Sequence, residues 1–364
     1  MNNTDQTQKH LLVTGGAGFI GTNFIRHTLA LHPGWQIVNL DALTYAGNAQ
    51  NFDDLEASKA LRYTFVPGDI LDRQLLKRLF DHHGFDSVVH FAAESHVDRA
   101  ILGPEAFVET NVTGTFRLLE ASLNFWKEAG QPESFRFLHI STDEVYGSLG
   151  PEGYFTENSP FAPNSPYSAS KSASDHFVRA YFQTYGLPAL VTHCSNNYGP
   201  YQFPEKLIPI MIVHIIDRKP LPVYGDGKNV RDWLYVIDHC EALLRVMDSG
   251  RPGETYNIGG GAELENIEII NRLCNMLDMR LNRTGNDQSH RLIRFVADRP
   301  GHDRRYAIDA AKIRNELGWQ PRFEFNQALE ATVDWYLAHR GWLDSVRSGA
   351  YRKWIEVNYQ RREQ

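Results

Sequence analysis

Between Ile140 and Lys171 the chain reads ISTDEVYGSLGPEGYFTENSPFAPNSPYSASK. An apolar run ends in Ser141-Thr142, two adjacent carboxylates follow at Asp143-Glu144, and Tyr167 precedes Lys171 by four residues. Ser165-Pro166 reads as a helix start, with Ser as N-cap and Pro in the first position. Residues four apart share a helix face, so the phenol and the ammonium project together. A phenol with a pKa near 10 is a poor base at neutral pH, and a neighbouring cation favours phenolate. Such a pair takes the proton from an alcohol that is being oxidised. Two adjacent carboxylates divide labour when their surroundings separate their pKa values, one kept as acid and one as base. Acid and base together suit removal of water across a C–C bond, which becomes easy once a neighbouring ketone acidifies the C–H. Elsewhere a Tyr-x-x-x-Lys pair is commonly a solvated helix face, and Asp-Glu an exposed acidic turn. Their placement depends on the elements around them.

Those elements begin with TGGAGFIG at residues 14–21, after the apolar run His10–Thr14 and before the helical spacing of Thr22–Leu31. Gly16, Gly18 and Gly21 satisfy G-x-G-x-x-G, and Gly15, Gly18 and Gly21 satisfy G-x-x-G-x-x-G. Glycines here permit a tight turn and bring backbone up to a pyrophosphate seated on the helix N-terminus. Asp41 closes the second apolar run, Trp35–Leu40, and can accept hydrogen bonds from both ribose hydroxyls of an adenosine. No Arg follows immediately, so the expected cofactor is NAD rather than NADP. Its nicotinamide cation would act with Lys171 to favour the Tyr167 phenolate. Further strands are expected at Tyr63–Val66, Ser87–Phe91, Phe135–Ile140 and Ala189–His193, with helices between them and a long helix over Pro104–Lys127. This alternation predicts an α/β fold: a Rossmann-type doubly wound parallel sheet with a smaller C-terminal α/β substrate-binding region. Ligands collect at strand carboxyl ends in such sheets. The glycine turn, Asp41, Asp69-Ile70, the segment AAESH and Thr142-Asp143-Glu144 all fall there. The expected division is 10–197 for the NAD-binding domain with the catalytic residues and 198–345 mainly for substrate, interleaved with the first. Residues 1–9 are expected to be a flexible lead.

Composition bounds the class. At 364 residues, 42% hydrophobic, the chain can build a large core, and its formal charge of −7 argues against coating nucleic acid or an anionic membrane. Cys194, Cys240 and Cys274 are scattered, and the 15 histidines show no ligand spacing, so no metal is expected. The start MNNTDQTQKH lacks a secretory core, and no apolar run approaches the roughly 20 residues of a spanning helix. A soluble, cytoplasmic protein is expected.

The motifs TGGAGFIG, GDI, AAESHVDRAI, STDEVYG, YSASK, SNNYGPYQFPEKLIP, GDGKNVRDWLYV and DRPGHDRRYAID, spread from about Leu11 to Arg340, carry a resemblance. The chain resembles the extended short-chain dehydrogenase/reductase family, and within it the enzymes that dehydrate dTDP-glucose. The Asp-Glu after Thr142 marks that branch, because the related 4-epimerases usually carry small or neutral residues there. The resemblance implies dehydration to dTDP-4-keto-6-deoxyglucose in deoxysugar nucleotide biosynthesis, with NAD tightly bound and regenerated each turnover. It implies catalytic roles for Thr142, Asp143, Glu144, Tyr167 and Lys171, with Thr142 on the sugar, Glu144 taking the C5 proton and Asp143 protonating the leaving 6-hydroxyl. Around NAD it places Gly15, Gly18, Phe19, Ile20, Gly21, Asp41, Ala42, Leu43, Thr44, Asp69, Ile70, Ala92, Ala93, Glu94, Ser95, His96, Thr110, Asn197 and the Tyr167-Lys171 pair. Around the nucleotide sugar it places His96, Thr142, Asn196, Lys206, Leu207, Pro222, Val223, Tyr224, Arg231, Asn266, Asp298, Arg299, Pro300, Gly301 and His302. Lys206, Arg231 and Arg299 are suitable cations for a diphosphate. A homodimer joined by the helices near Pro104–Lys127 and Tyr167–Tyr185 is also implied. The rivals are a 4-epimerase, a dehydratase of another nucleotide sugar, and a non-catalytic NAD-binding protein. The loop 147–166, with Gly150, Gly153, Pro160 and Pro163, is long enough to be a lid.

Overall fold

Short runs of Val, Ile and Leu bounded by Gly, Asp or Thr become strands throughout the computed structural model, which describes residues 8–57 and 62–347. Most of the expected flexible lead, 1–9, lies outside the described residues. In chain order the strands are β1 (His10–Thr14), β2 (Gln36–Asp41), β3 (Tyr63–Pro67), β4 (Ser87–His90), β5 (Arg136–Thr142) and β6 (Ala189–Cys194). There follow β7 (Asn196–Tyr198), β8 (Leu221–Tyr224), β9 (Val230–Tyr235), β10 (Thr255–Ile258), β11 (Glu263–Glu265) and β12 (Ile293–Val296). Seven of them form one parallel sheet in the order β10-β6-β5-β4-β1-β2-β3. The order reverses between β1 and β4, and the crevice at such a reversal is where a dinucleotide binds in this architecture. A three-stranded sheet (β11-β9-β7) and a two-stranded one (β12-β8) make up the smaller lobe.

Both faces of the large sheet are covered. One core holds Phe24, Ile25 and Leu29 with Leu243, Val246 and Met247; the other holds Leu76, Phe80, Leu118 and Val178. The small lobe has its own core around helix Leu207–Asp217, where Ile208 through Ile215 are all buried. A helix buried on every side must be apolar all round, as LIPIMIVHII is.

The chain does not stay in the small lobe after residue 198. Helix Val236–Ser249 packs on helix Phe19–Leu31, and β10 pairs with β6 at the edge of the large sheet. The expected long helix over Pro104–Lys127 is one helical run with a difference: Val108–Gly114 is wound as a π-turn between Glu105–Phe107 and Thr115–Glu128. Such turns inside α-helices occur frequently at functional sites. Here the turn presents Asn111, which is 1% exposed, inward.

Candidate active site

The strand-to-helix turn after β1 is closed by contacts no side chain would tolerate. Gly15 has φ +71°, and a Cβ there would lie 2.5 Å from the Ala92 backbone; one on Gly21 would lie 2.5 Å from the Gly15 carbonyl oxygen. Helix Phe19–Leu31 has no side-chain cap at its N-terminus, so its first N–H groups stay available to an anion. Asp41 accepts from Ala17 N–H and Leu43 N–H, 2.8 Å each, one per oxygen, leaving lone pairs on both for ribose hydroxyls. Asn111 holds the opposite wall. Its Oδ1 accepts from Glu94 N–H (2.9 Å), and its Nδ2 donates to Glu94 C=O (3.0 Å) and Ser170 Oγ (2.8 Å), tying the segment after β4 to the helix that carries Tyr167.

These walls enclose a cleft of about 300 Å³. Of the residues expected around NAD, Gly15, Gly18, Phe19, Ile20, Gly21, Asp41, Ala42, Thr44, Asp69, Ile70, Ala92, Ala93, Glu94, Ser95, Thr110, Asn197, Tyr167 and Lys171 line it. Leu43 and His96 do not: Leu43 turns outward at 39% exposure, and His96 is buried beside the cleft near Lys206, Arg299 and Arg99. Sequence reasoning missed Ser141, Cys194, Ser195, Gln202, Phe203 and Glu205, which also line it. It missed a clasp as well. The Arg99 guanidinium lies 3.6 Å over the Tyr45 ring and donates to Glu205 (3.3 Å), and Glu205 also hydrogen-bonds Tyr45. Nothing in the spacing of Tyr45, Arg99 and Glu205 announces that they meet.

The reacting groups stand where β5 ends. Thr142 caps the short 3₁₀ turn Asp143–Tyr146, its Oγ accepting from Glu144 N–H at 3.3 Å. The same hydroxyl hydrogen-bonds the Tyr167 phenol and donates to Asp143 Oδ1 at 3.4 Å. Helix Pro166–Tyr185 opens with a Ser165/Ser168 capping box that fixes Tyr167 in its first turn. Lys171 donates to the Ile140 carbonyl at 2.8 Å. Burial pushes Asp143 well above the usual carboxylate range, and the charges of Glu144 and Asp232 add to it. Burial also raises Glu144, but Arg299, Lys206 and Arg231 oppose that rise. Arg231 acts on both carboxyls, but anions outweigh it around Asp143, whereas three cations act on Glu144 against the Asp303 charge. Burial, followed by the Glu144 charge, holds Tyr167 well above its ordinary value, and burial lowers Lys171 to about 8.

Of the residues expected around the nucleotide sugar, Thr142, Asn196 and Lys206 line this cleft, whereas Leu207, residues 222–224, Arg231, Asn266 and residues 298–302 lie outside its lining. Lys206 donates to the Ser95 carbonyl at 3.0 Å, and Leu207 opens the buried helix behind. Pro222, Val223 and Tyr224 lie on β8, Asn266 starts the next helix, and Asp298–His302 forms the loop after β12. The β8–β12 pairing brings these together: His302 Nδ1 is 2.6 Å from Asp298 Oδ1, and its ring meets Tyr224 edge-on. Arg231, 5% exposed, lies 4.3 Å over Tyr306 and donates to the carbonyls of Val230 and Asp303, and among the described residues no carboxylate is its hydrogen-bond partner. Asp143 Oδ2, Asn196 Oδ1, Asn266 Oδ1 and Arg299 Nε are buried without a protein partner among the described residues. Buried polar atoms left open at a cleft are the mark of a polar ligand.

Known proteins decide the family. The profile described as GDP-mannose 4,6 dehydratase matches residues 12–332. The chain belongs to this dehydratase family. It is 57% identical to the dTDP-glucose 4,6-dehydratase of Xanthomonas campestris pv. campestris strain B100 over 94% of the chain and 97% of that protein. Identity to dTDP-glucose 4,6-dehydratase 1 of Escherichia coli K12 is 52%, over 97% and 99%. Among solved structures, DesIV, the dTDP-glucose 4,6-dehydratase of Streptomyces venezuelae solved with NAD bound, superposes with a TM-score of 0.85. That match has 48% identity and covers 93% of this chain and 99% of that one. A Thermotoga maritima UDP-glucose 4-epimerase shares the architecture at TM-score 0.79 with 26% identity over 90% and 99%.

Proposed function

We propose that the dehydratase converts dTDP-glucose to dTDP-4-keto-6-deoxyglucose and water, with NAD held in the glycine-turn cleft. The observation that carries this reading is the convergence of Thr142, Asp143, Glu144, Tyr167 and Lys171 in the same cleft as Gly15–Gly21 and Asp41. The glycine turn and helix N-terminus would hold the pyrophosphate of NAD, Asp41 the adenosine ribose. Bound NAD would supply the acceptor for the C4 hydrogen and the donor for its return to C6.

This chain's residues manage the protons. Tyr167 takes the proton of the 4-hydroxyl as C4 is oxidised; burial and the Glu144 charge oppose its phenolate, so the base form depends on the positive charge that bound nicotinamide would add, with Lys171 one helical turn away. The new ketone acidifies C5–H, Glu144 takes that proton, and Asp143 gives its own to O6, which leaves as water. Glu144, opposed by three cations, is the one suited to be a base; Asp143, beside anions, is the one suited to stay an acid. Glu144 then returns its proton to C5. At the end Tyr167 holds one proton too many and Asp143 one too few. The Thr142 hydroxyl touches both, hydrogen-bonded to the phenol and donating to Asp143 Oδ1, so a proton passed through it from Tyr167 to Asp143 would restore the starting state. Arg231, Arg299 and Lys206 would face the diphosphate.

The helices expected to pair two copies expose Val108, Phe177 and Tyr185, which supports a homodimer. Among the described residues no helix is long and apolar enough to cross a membrane. The free, buried thiols Cys194, Cys240 and Cys274 accord with a reducing cytoplasm. The test is incubation with dTDP-glucose beside UDP-glucose, reading product mass and 4-keto absorbance. A product lighter by about 18 Da, formed faster from dTDP-glucose, is expected; an isomer of unchanged mass would make the protein an epimerase.

A further inference from the structure

Behind Lys171, away from the cleft, lies a buried polar cluster that the reaction above does not use. Asp175, one turn beyond Lys171 on the same helix, is 3% exposed. Its Oδ2 accepts from Ser141 Oγ at 2.9 Å and lies 3.0 Å from His193 Nε2; its Oδ1 lies 3.2 Å from His139 Nε2. The same His139 nitrogen is 3.4 Å from Lys171 Nζ. His193 Nδ1 continues the chain to the Tyr146 hydroxyl at 2.6 Å. A buried carboxylate among rings is an expensive core element, and apolar residues of similar volume would often be as stable. Its presence calls for a reason beyond packing.

His139 supplies one. Its Nε2 is contested: a carboxylate needs a proton there, whereas an ammonium needs the lone pair. Its Nδ1 has no hydrogen-bond partner among the described residues, and neither has Asp175 Oδ1, the oxygen facing its Nε2, while Lys171 Nζ stands within hydrogen-bond range of that Nε2. With the proton on Nδ1, the ring would bury an unsatisfied donor and turn a lone pair against the Asp175 carboxylate. With the proton on Nε2, the carboxylate gains a charge-assisted neighbour, and only a weak acceptor is left open. Asp175 thus selects the Nε2–H form. That form offers Lys171 nothing to donate to from behind, leaving its donors for the Ile140 carbonyl and the cleft.

We propose that Asp175 is a positioning residue for the oxidation step: it fixes the His139 tautomer, so that Lys171 points into the cleft, and supplies the buried negative charge that keeps Lys171 an ammonium. The inference rests on the oxidation role given above to Tyr167 and Lys171. Among the described residues, the titratable groups acting on the ammonium are Asp175 on its own helix, His139 on β5, His90 on β4 and Cys194 on β6, with Tyr167 lining the same cleft. Asp175 is the only one of them that carries a lasting negative charge at neutral pH. Its two ring partners hold it below the usual carboxylate range, while burial lifts the Cys194 thiol to about 12. Burial also pushes His139 down to about 4, so the ring itself is neutral.

Two measurements on the NAD-loaded protein test this. In histidine-labelled wild-type protein, the nitrogen-15 shifts of His139 should report Nε2–H from pH 6 to 9; an Nδ1–H ring overturns the proposal without any variant being made. In Asp175→Asn, ammonium and lost charge are within about 7 Å, and the alkaline fall of kcat/KM should move about one to two pH units towards acid. Asp175→Glu, which keeps the charge, should recover part of that shift. A folded Asp175→Asn with the parental alkaline limb refutes the idea. Failure of the underlying reading looks different: the wild-type protein itself would then form no 4-keto product at any pH.

Discussion

Replacing Asp143 by Asn should make the protein less active and more stable at once. The side chain is 2% exposed, and burial with the Glu144 and Asp232 charges holds its carboxyl well above the ordinary 3.8. Folding at neutral pH must therefore keep a proton that the unfolded chain has released, a cost that grows as the pH rises. The sign follows directly. Below about pH 4 both states are protonated and nothing is lost; as pH rises towards the folded value, the folded state alone retains the proton and its stability falls. An amide has the same shape, can still accept from Thr142, and carries no such cost. Urea midpoints from pH 5 to 7 should therefore show the variant gaining on the parent as the pH rises. The same variant lacks the proton that O6 needs, a loss of about 10²- to 10⁴-fold in dehydration. Oxidation precedes that step, so reduced cofactor should build up at 340 nm without loss of water from the sugar. A stability gap that stays flat from pH 5 to 7 would mean that Asp143 is ionised in the folded protein and cannot be the acid.

Other expectations concern separate parts of the cleft. Tyr167→Phe should give no reduced cofactor with dTDP-glucose, whereas Glu144→Gln should give it yet fail to exchange the C5 hydrogen with deuterated water; exchange at the parental rate would remove Glu144 as base. Arg231→Met should raise KM for dTDP-glucose about 10- to 100-fold, the worth of hydrogen bonds to a charged group, with kcat less affected. Arg99→Met should open the Tyr45–Glu205 clasp and speed loss of NAD on gel filtration about tenfold or more; unchanged retention would show that the clasp does not hold the cofactor.

The large sheet was legible because its strands are short, apolar and end in residues that chemistry needs, so Gly15–Gly21, Asp41 and Thr142–Glu144 announced their positions. The small lobe was less so. β7, β11 and β12 are three or four residues long, too brief for an alternating pattern to register, and they pair across distant parts of the chain. The π-turn at Val108–Gly114 left no trace, since its residues fit an α-helix equally well; the turn carries the Asn111 that hydrogen-bonds Glu94 and Ser170. Leu43 fell outside the cleft because a motif fixes the loop, not the side to which each member turns. The cluster of His139, Asp175 and His193 was invisible for a different reason: its members come from two strands and a helix, and each alone reads as an ordinary core polar residue.

The late return of β10 to the large sheet bears on how the protein is made. β6 is buried along its whole length, yet its outer neighbour lies roughly 60 residues further on, beyond β7, the buried helix Leu207–Asp217, β8 and β9. At about 5–20 residues per second, a ribosome needs some seconds to supply it. Through that interval the nascent chain carries an open, apolar strand edge and lacks the helix that covers Phe24 and Ile25. An edge of that kind pairs readily with other chains. Slower translation between residues 195 and 258 should therefore raise the insoluble fraction, whereas slowing after 258 should leave it unchanged.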